Sequence, residues 1–227
     1  FETAKKKSIL EIMFYSSDGA YGDEYLNFLK HKYKYDNLWL NDKLGINICD
    51  GEIIVNNAQI LIERRINQSI NKKTKKSYLS NFIFTHEELT NNKLELSNLL
   101  NQLTLTIGSN ININQHFNQI GDYNIYREKP IIKISDNEYF IPSLYAITET
   151  LYESPFYWMN KDENYEQKAL KHRGLVAEEI TYNILRHLFG KKNIFRNVKI
   201  FKKKAEIITD IDLLLIHEEK AIIFQVK

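Results

Sequence analysis

Two runs near the end of the chain, residues 211 to 216 and 221 to 226, consist almost wholly of Ile, Leu, Val and Phe. Only His217-Glu218-Glu219-Lys220 separates them. Runs this short, rich in β-branched residues and bounded by polar ones, call for two antiparallel strands joined tightly. Side chains alternate along a strand, so Asp210, Asp212, Leu214 and Ile216 share one face of the first strand. Ile223, Gln225 and Lys227 share one face of the second. A two-residue connection at Glu218-Glu219 sets Asp212 opposite Gln225 and Asp210 opposite Lys227, with Cβ atoms roughly 4.5 to 5.5 Å apart. An odd loop makes the same contacts diagonal. Glu-Glu lacks the Asn-Gly or Asp-Gly chemistry that fixes a primed turn, so the register rests on strand patterning. Flanking segments this apolar suggest strands covered on both faces, where a carboxylate needs a metal or a partner.

Upstream, residues 174 to 189 have helical spacing and stop at Gly190. At about 100° per residue, Ala177, Ile184, Leu185, Leu188 and Phe189 define an apolar face. Glu178 falls on that face, between the directions of Leu185 and Phe189. Glu179 falls opposite, with Asn183 and Arg186, and reads as a solvated surface carboxylate. A carboxylate turned toward the packed side of a helix needs a reason, and a metal or metal-bound water is one.

Together these residues resemble the core of the PD-(D/E)XK nuclease superfamily, the restriction-endonuclease-like fold. The matching features are a helix with Gly174-x-x-x-Glu178, a strand at 194 to 201, Ile211-Asp212 opening the next strand, and Gln225-x-Lys227 ending the third. The usual motif has Glu or Asp where this chain has Gln225, and in that respect it is closest to the Mrr-type restriction enzymes. The resemblance covers residues 172 to 227. It implies a catalytic set of Glu178, Asp212, Gln225 and Lys227, acting with Mg²⁺ or Mn²⁺. Asp212 would be the direct metal ligand, Gln225 a second oxygen, and Glu178 a ligand or the holder of a metal-bound water. Lys227 would orient the attacking water and stabilise charge on the phosphate. A hard divalent cation takes oxygen ligands and keeps several waters, and lysine supplies a compact charge beside the nucleophile. Asp210 shares the face of Asp212 and reads either as part of that cluster or as a salt-bridge partner of Lys227. The resemblance also implies continuation into a second core helix and strand, so that residues 166 to 227 hold the site but not a whole nuclease core.

Charge supports a polyanionic partner. Arg186, Lys191, Lys192, Arg196, Lys199, Lys202, Lys203 and Lys204 form a stretch with no acid among them, hidden within a net charge of +2. Lys191, Lys192, Arg196, Lys199 and Lys202 to Lys204 are therefore the expected nucleic-acid contacts, giving affinity without sequence preference. DNA is the expected substrate, with RNA as an alternative that the motif does not distinguish. A nuclease fold kept for binding or scaffolding without chemistry is the competing reading, and Gln225 is its best support.

The N-terminal 165 residues read as a mainly helical domain for substrate positioning, sensing or assembly, including self-assembly or a partner subunit. Helices are expected near 22 to 34, 50 to 70 and 94 to 105, and another after a capping box formed by Thr85 and Glu88. A hairpin is expected at 131 to 141, and an aromatic helix at 143 to 158 carrying Tyr145, Tyr152, Phe156, Tyr157 and Trp158 for packing. Lys72 to Lys76 reads as a solvated loop, 91 to 118 as an asparagine-heavy stretch without order, and 161 to 171 as a linker. The fold class is thus α+β: a mainly helical domain with a β-hairpin, then an incomplete restriction-endonuclease-like α/β core of one helix and three mixed or antiparallel strands. A single cysteine, Cys49, excludes an internal disulfide framework and fits a cytoplasmic setting. No apolar run reaches membrane-spanning length, and the six histidines lack zinc-site spacing.

Overall fold

A computed structural model of the chain describes residues 22–72, 77–106, 108, 124–203 and 206–226. The expectations for Lys73 to Lys76, for most of the asparagine-heavy stretch, for Lys204 and for Lys227 lie outside those residues. The fold is α+β, as the sequence requires. Helices α1 (Gly22–Lys32), α2 (Asn37–Leu44), α3 (Gly51–Lys72), α4 (His86–Thr90) and α5 (Leu94–Gln102) are followed by α6 (Leu144–Asn160) and α7 (Glu166–Phe189). Strands β1 (Ile83–Thr85), β2 (Thr104–Thr106), β3 (Ile131–Ser135) and β4 (Glu138–Phe140) form one sheet, in the order β1-β4-β3-β2. Strands β5 (Ile194–Lys203), β6 (Glu206–His217) and β7 (Lys220–Phe224) form a second sheet, fully antiparallel, in the order β5-β6-β7.

The chain divides into two compact units. One takes residues 31–38 together with 155 onward, and the other takes the rest. The boundary inferred from charge, near 165, lies inside the second unit because 161–171 is not a linker. After a turn at Lys161 the helix begins at Glu166, two turns before the apolar periodicity starts, and Ala169 is fully buried.

In the first unit the core is built from Leu29, Leu40, Ile54, Phe84, Leu89, Leu96, Leu99, Leu100 and Ile131, all essentially sealed from solvent. Gly51, the first residue of α3, lies so close to buried Leu151 that a Cβ there would meet both its methyl carbons at 2.5 Å. The α4 capping box forms as expected: the Glu88 amide donates to Thr85 Oγ1, and the Thr85 amide donates to Glu88 Oε2. The other Glu88 oxygen accepts from Arg65 at 2.6 Å. Arg65 also donates to the Ile83 carbonyl and stacks 5.0 Å from the Phe84 ring centre. Arg65, which continues the apolar stripe of α3, thereby fastens that helix to β1 and α4. The helix expected at 94–105 stops at Gln102. Thr104 to Thr106 instead pair in parallel with Ile131 to Lys133, where β-branched threonines fit a pleated edge better than a helix interior. The first part of the aromatic helix, up to Ser154, belongs to this unit, with Tyr25 centred 6.0 Å from Tyr145 and 5.0 Å from Tyr152.

In the second unit α7 lies across one face of β5-β6-β7. Leu185 packs with Ile194, Leu213 and Leu215, joined by Tyr182, Phe189, Phe224 and Val226. The buried line of the helix is therefore narrower than its apolar residues suggested, and Ile184 and Leu188 are 50% and 66% exposed. Three strands cover only a narrow strip of helix. Nor is the sheet covered on both faces by the described residues: Phe195, Ile216 and Ile223, which share the face away from α7, are 45%, 42% and 59% exposed. Gly190 ends α7 at φ 82, a value that favours glycine, and its amide caps the Arg186 carbonyl.

Glu88→Ala removes half of the capping box and the carboxylate that pairs with Arg65. It is expected to cost about 2 kcal/mol in urea denaturation, more than a cap alone.

Candidate active site

The hairpin register is the one that an even loop dictates. Leu213 pairs with Phe224, Leu214 with Ile223, Leu215 with Ile222, Ile216 with Ala221 and His217 with Lys220. Glu218 and Glu219 form the two-residue connection, and Glu218 takes φ 54 to make it. Asp210 and Asp212 alternate with buried Ile211 and Leu213, so both carboxylates stand on the face away from α7. Continuing the ladder by one position sets Gln225 opposite Asp212. The pairing stops at Phe224, however, and the Asp212 carboxylate takes over: its Oδ2 accepts from the Val226 amide at 2.7 Å. Asp212 thus terminates the ladder where β6 and β7 part. Gln225 is exposed beside this fork.

Glu178 approaches from the helix, on the same strip as Tyr182, Leu185 and Phe189, and is half-buried. Burial pushes its carboxyl above the ordinary range. Asp212 adds to this by like-charge repulsion, Arg196 opposes it, and Asp210 contributes a smaller push upward. The charges of Asp212 and Asp210, 34 and 32 positions further along the chain, act on Glu178 although both carboxylates stand on the sheet face away from α7. Arg196 takes part in the same cluster, with its guanidinium 4.9 Å from the Tyr182 ring centre. It belongs to the helix side of the sheet, unlike Lys199, Lys202 and Lys203, which are exposed along β5. Lys191 and Lys192 lie exposed in a short 3₁₀ turn between α7 and β5.

Glu178, Asp212 and Gln225 carry oxygen donors, the kind a hard divalent cation takes, and like-charge repulsion from Asp212 acts on Glu178. Among the described residues no three His, Cys, Asp or Glu side chains form a group that could hold a metal ion.

Glu179 is not the solvated carboxylate that its helical angle suggested. Lys34 donates to its Oε2 and Tyr35 donates to Oε1 at 2.8 Å, and these two hydrogen bonds hold its carboxyl below the ordinary range. The next residue, Asp36, is buried and accepts from Tyr165 at 2.9 Å and from His172 Nδ1 at 2.6 Å. Burial, followed by the Asp36 hydrogen bond, drives the Tyr165 hydroxyl strongly upward. Residues 34–36 therefore clasp α7 at Glu179 and at His172, and its N-cap at Tyr165. Sequence reasoning missed this clasp because its partners lie more than 120 positions away. The only local signal was an acid, Asp36, set among tyrosines.

No helix among the described residues is long and apolar enough to cross a membrane. Comparison with protein-family models, with curated proteins and with solved structures finds no match to this chain.

Two outcomes follow from this geometry. Asp36→Ala leaves the Tyr165 hydroxyl and the His172 ring without their acceptor and is expected to cost about 2 to 4 kcal/mol in denaturant unfolding. For Glu178, a carboxyl raised by folding penalises the folded state once ionised. That penalty is absent below the ordinary value of 4.5 and fully present above the folded pKa. Glu178→Gln is therefore expected to raise the melting temperature at pH 7, with the gain closing as pH falls toward 4.5.

Proposed function

We propose that the chain carries the site of a metal-dependent nuclease of the PD-(D/E)XK kind, which hydrolyses phosphodiester bonds of DNA. The observation that carries this reading is that Glu178, half-buried on α7, is pushed above its ordinary range by burial and by the charge of Asp212, which stands at the β6/β7 fork and accepts from the Val226 amide. A bound Mg²⁺ or Mn²⁺ would lower the pKa of a coordinated water and offset negative charge on the phosphate. Asp212 would be a ligand to it, with one carboxylate oxygen engaged by the Val226 amide. Gln225 would offer a neutral oxygen beside it. Glu178, half-buried and raised above its ordinary pKa, is suited to holding a water and accepting its proton. In the reaction a water oxygen forms a bond to phosphorus, the bond from phosphorus to the leaving oxygen breaks, Glu178 takes the water's proton, and the leaving oxygen takes a proton from solvent. Lys227 is the cation that this reading requires next to the attacking water. Lys191, Lys192, Lys199 and Lys202 to Lys204 draw the phosphate backbone, and Arg196 supplies positive charge closest to Glu178.

The resemblance to restriction enzymes favours an intracellular, cytoplasmic role in restriction or anti-phage defence, with residues 1 to 165 positioning substrate, sensing a signal or mediating assembly. A second reading, a nuclease fold kept for nucleic-acid binding or scaffolding, draws on Gln225, which puts a neutral amide where a charged ligand is usual. An RNA-directed nuclease is its variant.

Incubation of the full chain with plasmid and linear DNA in Mg²⁺ or Mn²⁺ tests the proposal. Cleavage is expected to be abolished by chelation and reduced by about 10²-fold or more by Asp212→Ala, Lys227→Ala and Glu178→Gln. Cleavage that persists unchanged in Asp212→Ala and Lys227→Ala would refute it. Binding of DNA without cleavage, indifferent to metal and to Glu178→Ala, would establish the second reading.

A further inference from the structure

A cavity of about 570 Å³ lies in the first unit, between α3, the 3₁₀ turn at Tyr78–Phe82 and β1, with Glu88 of α4 and Glu138 of β4 completing its wall. That volume is in the range of sites that hold one small molecule.

Much of the wall is polar and already ordered. Arg65 donates to the Asn81 and Ile83 carbonyls and to Glu88 Oε1, while Glu88 Oε2 takes the Thr85 amide, so this ion pair is engaged by the wall itself. Ser69 gives its hydroxyl proton to the Arg65 carbonyl at 2.9 Å, and Ser80 gives its own to the Ser77 carbonyl at 2.7 Å. Both serine oxygens are left as acceptors. Glu138 stands opposite Thr85 in the β1-β4 register, with one oxygen on the Ser135 hydroxyl at 3.0 Å.

Asn81 is the exception. It lines the cavity and is only 6% exposed, yet its side-chain amide makes no hydrogen bond among the described residues. The partnerless polar atoms that are wholly sealed from solvent belong to Asn37 and Tyr145, so the Asn81 amide keeps an opening. The turn that carries it is held by the Ser80 amide on the Ser77 carbonyl at 3.0 Å and by Arg65 on the Asn81 carbonyl at 3.4 Å. Buried amides are normally paired, and one placed this way on a cavity wall calls for a partner inside the cavity.

We infer that this cavity binds a small uncharged molecule that presents a hydrogen-bond donor and an acceptor side by side, the edge of a nucleobase or of a carboxamide. An asparagine amide carries one acceptor and two donors in one plane and meets such an edge with two bonds at once. The free oxygens of Ser69, Ser80 and Glu138 accept from exocyclic amino groups or sugar hydroxyls. One cation, Arg65, stands against two carboxylates, Glu88 and Glu138, so the wall disfavours a phosphorylated ligand. The inference goes beyond the nuclease reading and does not depend on it, since every residue it uses belongs to the first unit.

Isothermal titration calorimetry of the full chain with adenosine, guanosine, cytidine, uridine and nicotinamide tests the site. At least one of these is expected to bind saturably with one molecule per chain, and the nucleosides compared with nicotinamide show which source supplies the edge. Where a nucleoside binds, its 5′-monophosphate is expected to bind more weakly. Asn81→Asp keeps the shape and removes the amide donors, and is expected to weaken binding by about tenfold. Glu138→Gln, at an exposed position, is expected to weaken it by about threefold. Thermal melts check that the variants fold, and if Asn81→Asp does not, Asn81→Ser removes the amide without adding charge and is read in its place. No binding of any of the five molecules at millimolar concentration would overturn the inference. So would tighter binding of a monophosphate than of its nucleoside, or wild-type affinity in the folded Asn81 variant.

Discussion

Burial of Leu213 and Leu215 beneath helix α7 decides where every polar group of the hairpin can stand. With the odd-numbered side chains of β6 packed against Leu185, alternation leaves Asp210 and Asp212 no choice but the opposite face. A slip of one residue would bury both carboxylates against the helix and expose two fully buried leucines, so the register is held by several kilocalories of apolar burial and not by the turn. Glu218 accordingly accepts a left-handed backbone that its side chain does not favour.

The same packing sets the electrostatics. Tyr182, Leu185 and Phe189 fix the rotation of α7, and Glu178 lies on their strip, so it is carried toward the hairpin whether or not its charge is welcome there. The upward push on its carboxyl shows that it is not welcome in the absence of a counter-charge. Such opposition between packing and charge is common at functional sites, where stability is given up locally for chemistry. Asp212 answers it differently, by accepting from the Val226 amide at the end of the ladder. Neighbouring Glu179 shows the contrast: one position further round the helix, Lys34 and Tyr35 satisfy it completely.

The elements of the second unit were largely legible because their signals are local. Two apolar runs and a four-residue polar break gave β6, β7 and their register, and Gly190 gave the end of α7. Boundaries were less legible where tertiary contacts override the local pattern. Lys161 to Lys171 looked like a linker because its helical stripe is thin, yet Ala169 is buried and Tyr165 is anchored on Asp36. Thr104 to Thr106 looked helical until a parallel neighbour, Ile131 to Lys133, was available to pair with them.

By itself the sequence determined the α+β class, the hairpin register, the face shared by Asp210 and Asp212, and the direction of Glu178, because alternation and helical rotation are fixed by covalent geometry. Only the tertiary structure decided that the charge of Asp212 acts on Glu178, that Glu179 is clasped by residues 34 and 35, and that Tyr165 and His172 share the buried Asp36. Those outcomes depend on which surfaces meet in space. Contacts across more than a hundred positions leave no periodic trace in the chain that makes them.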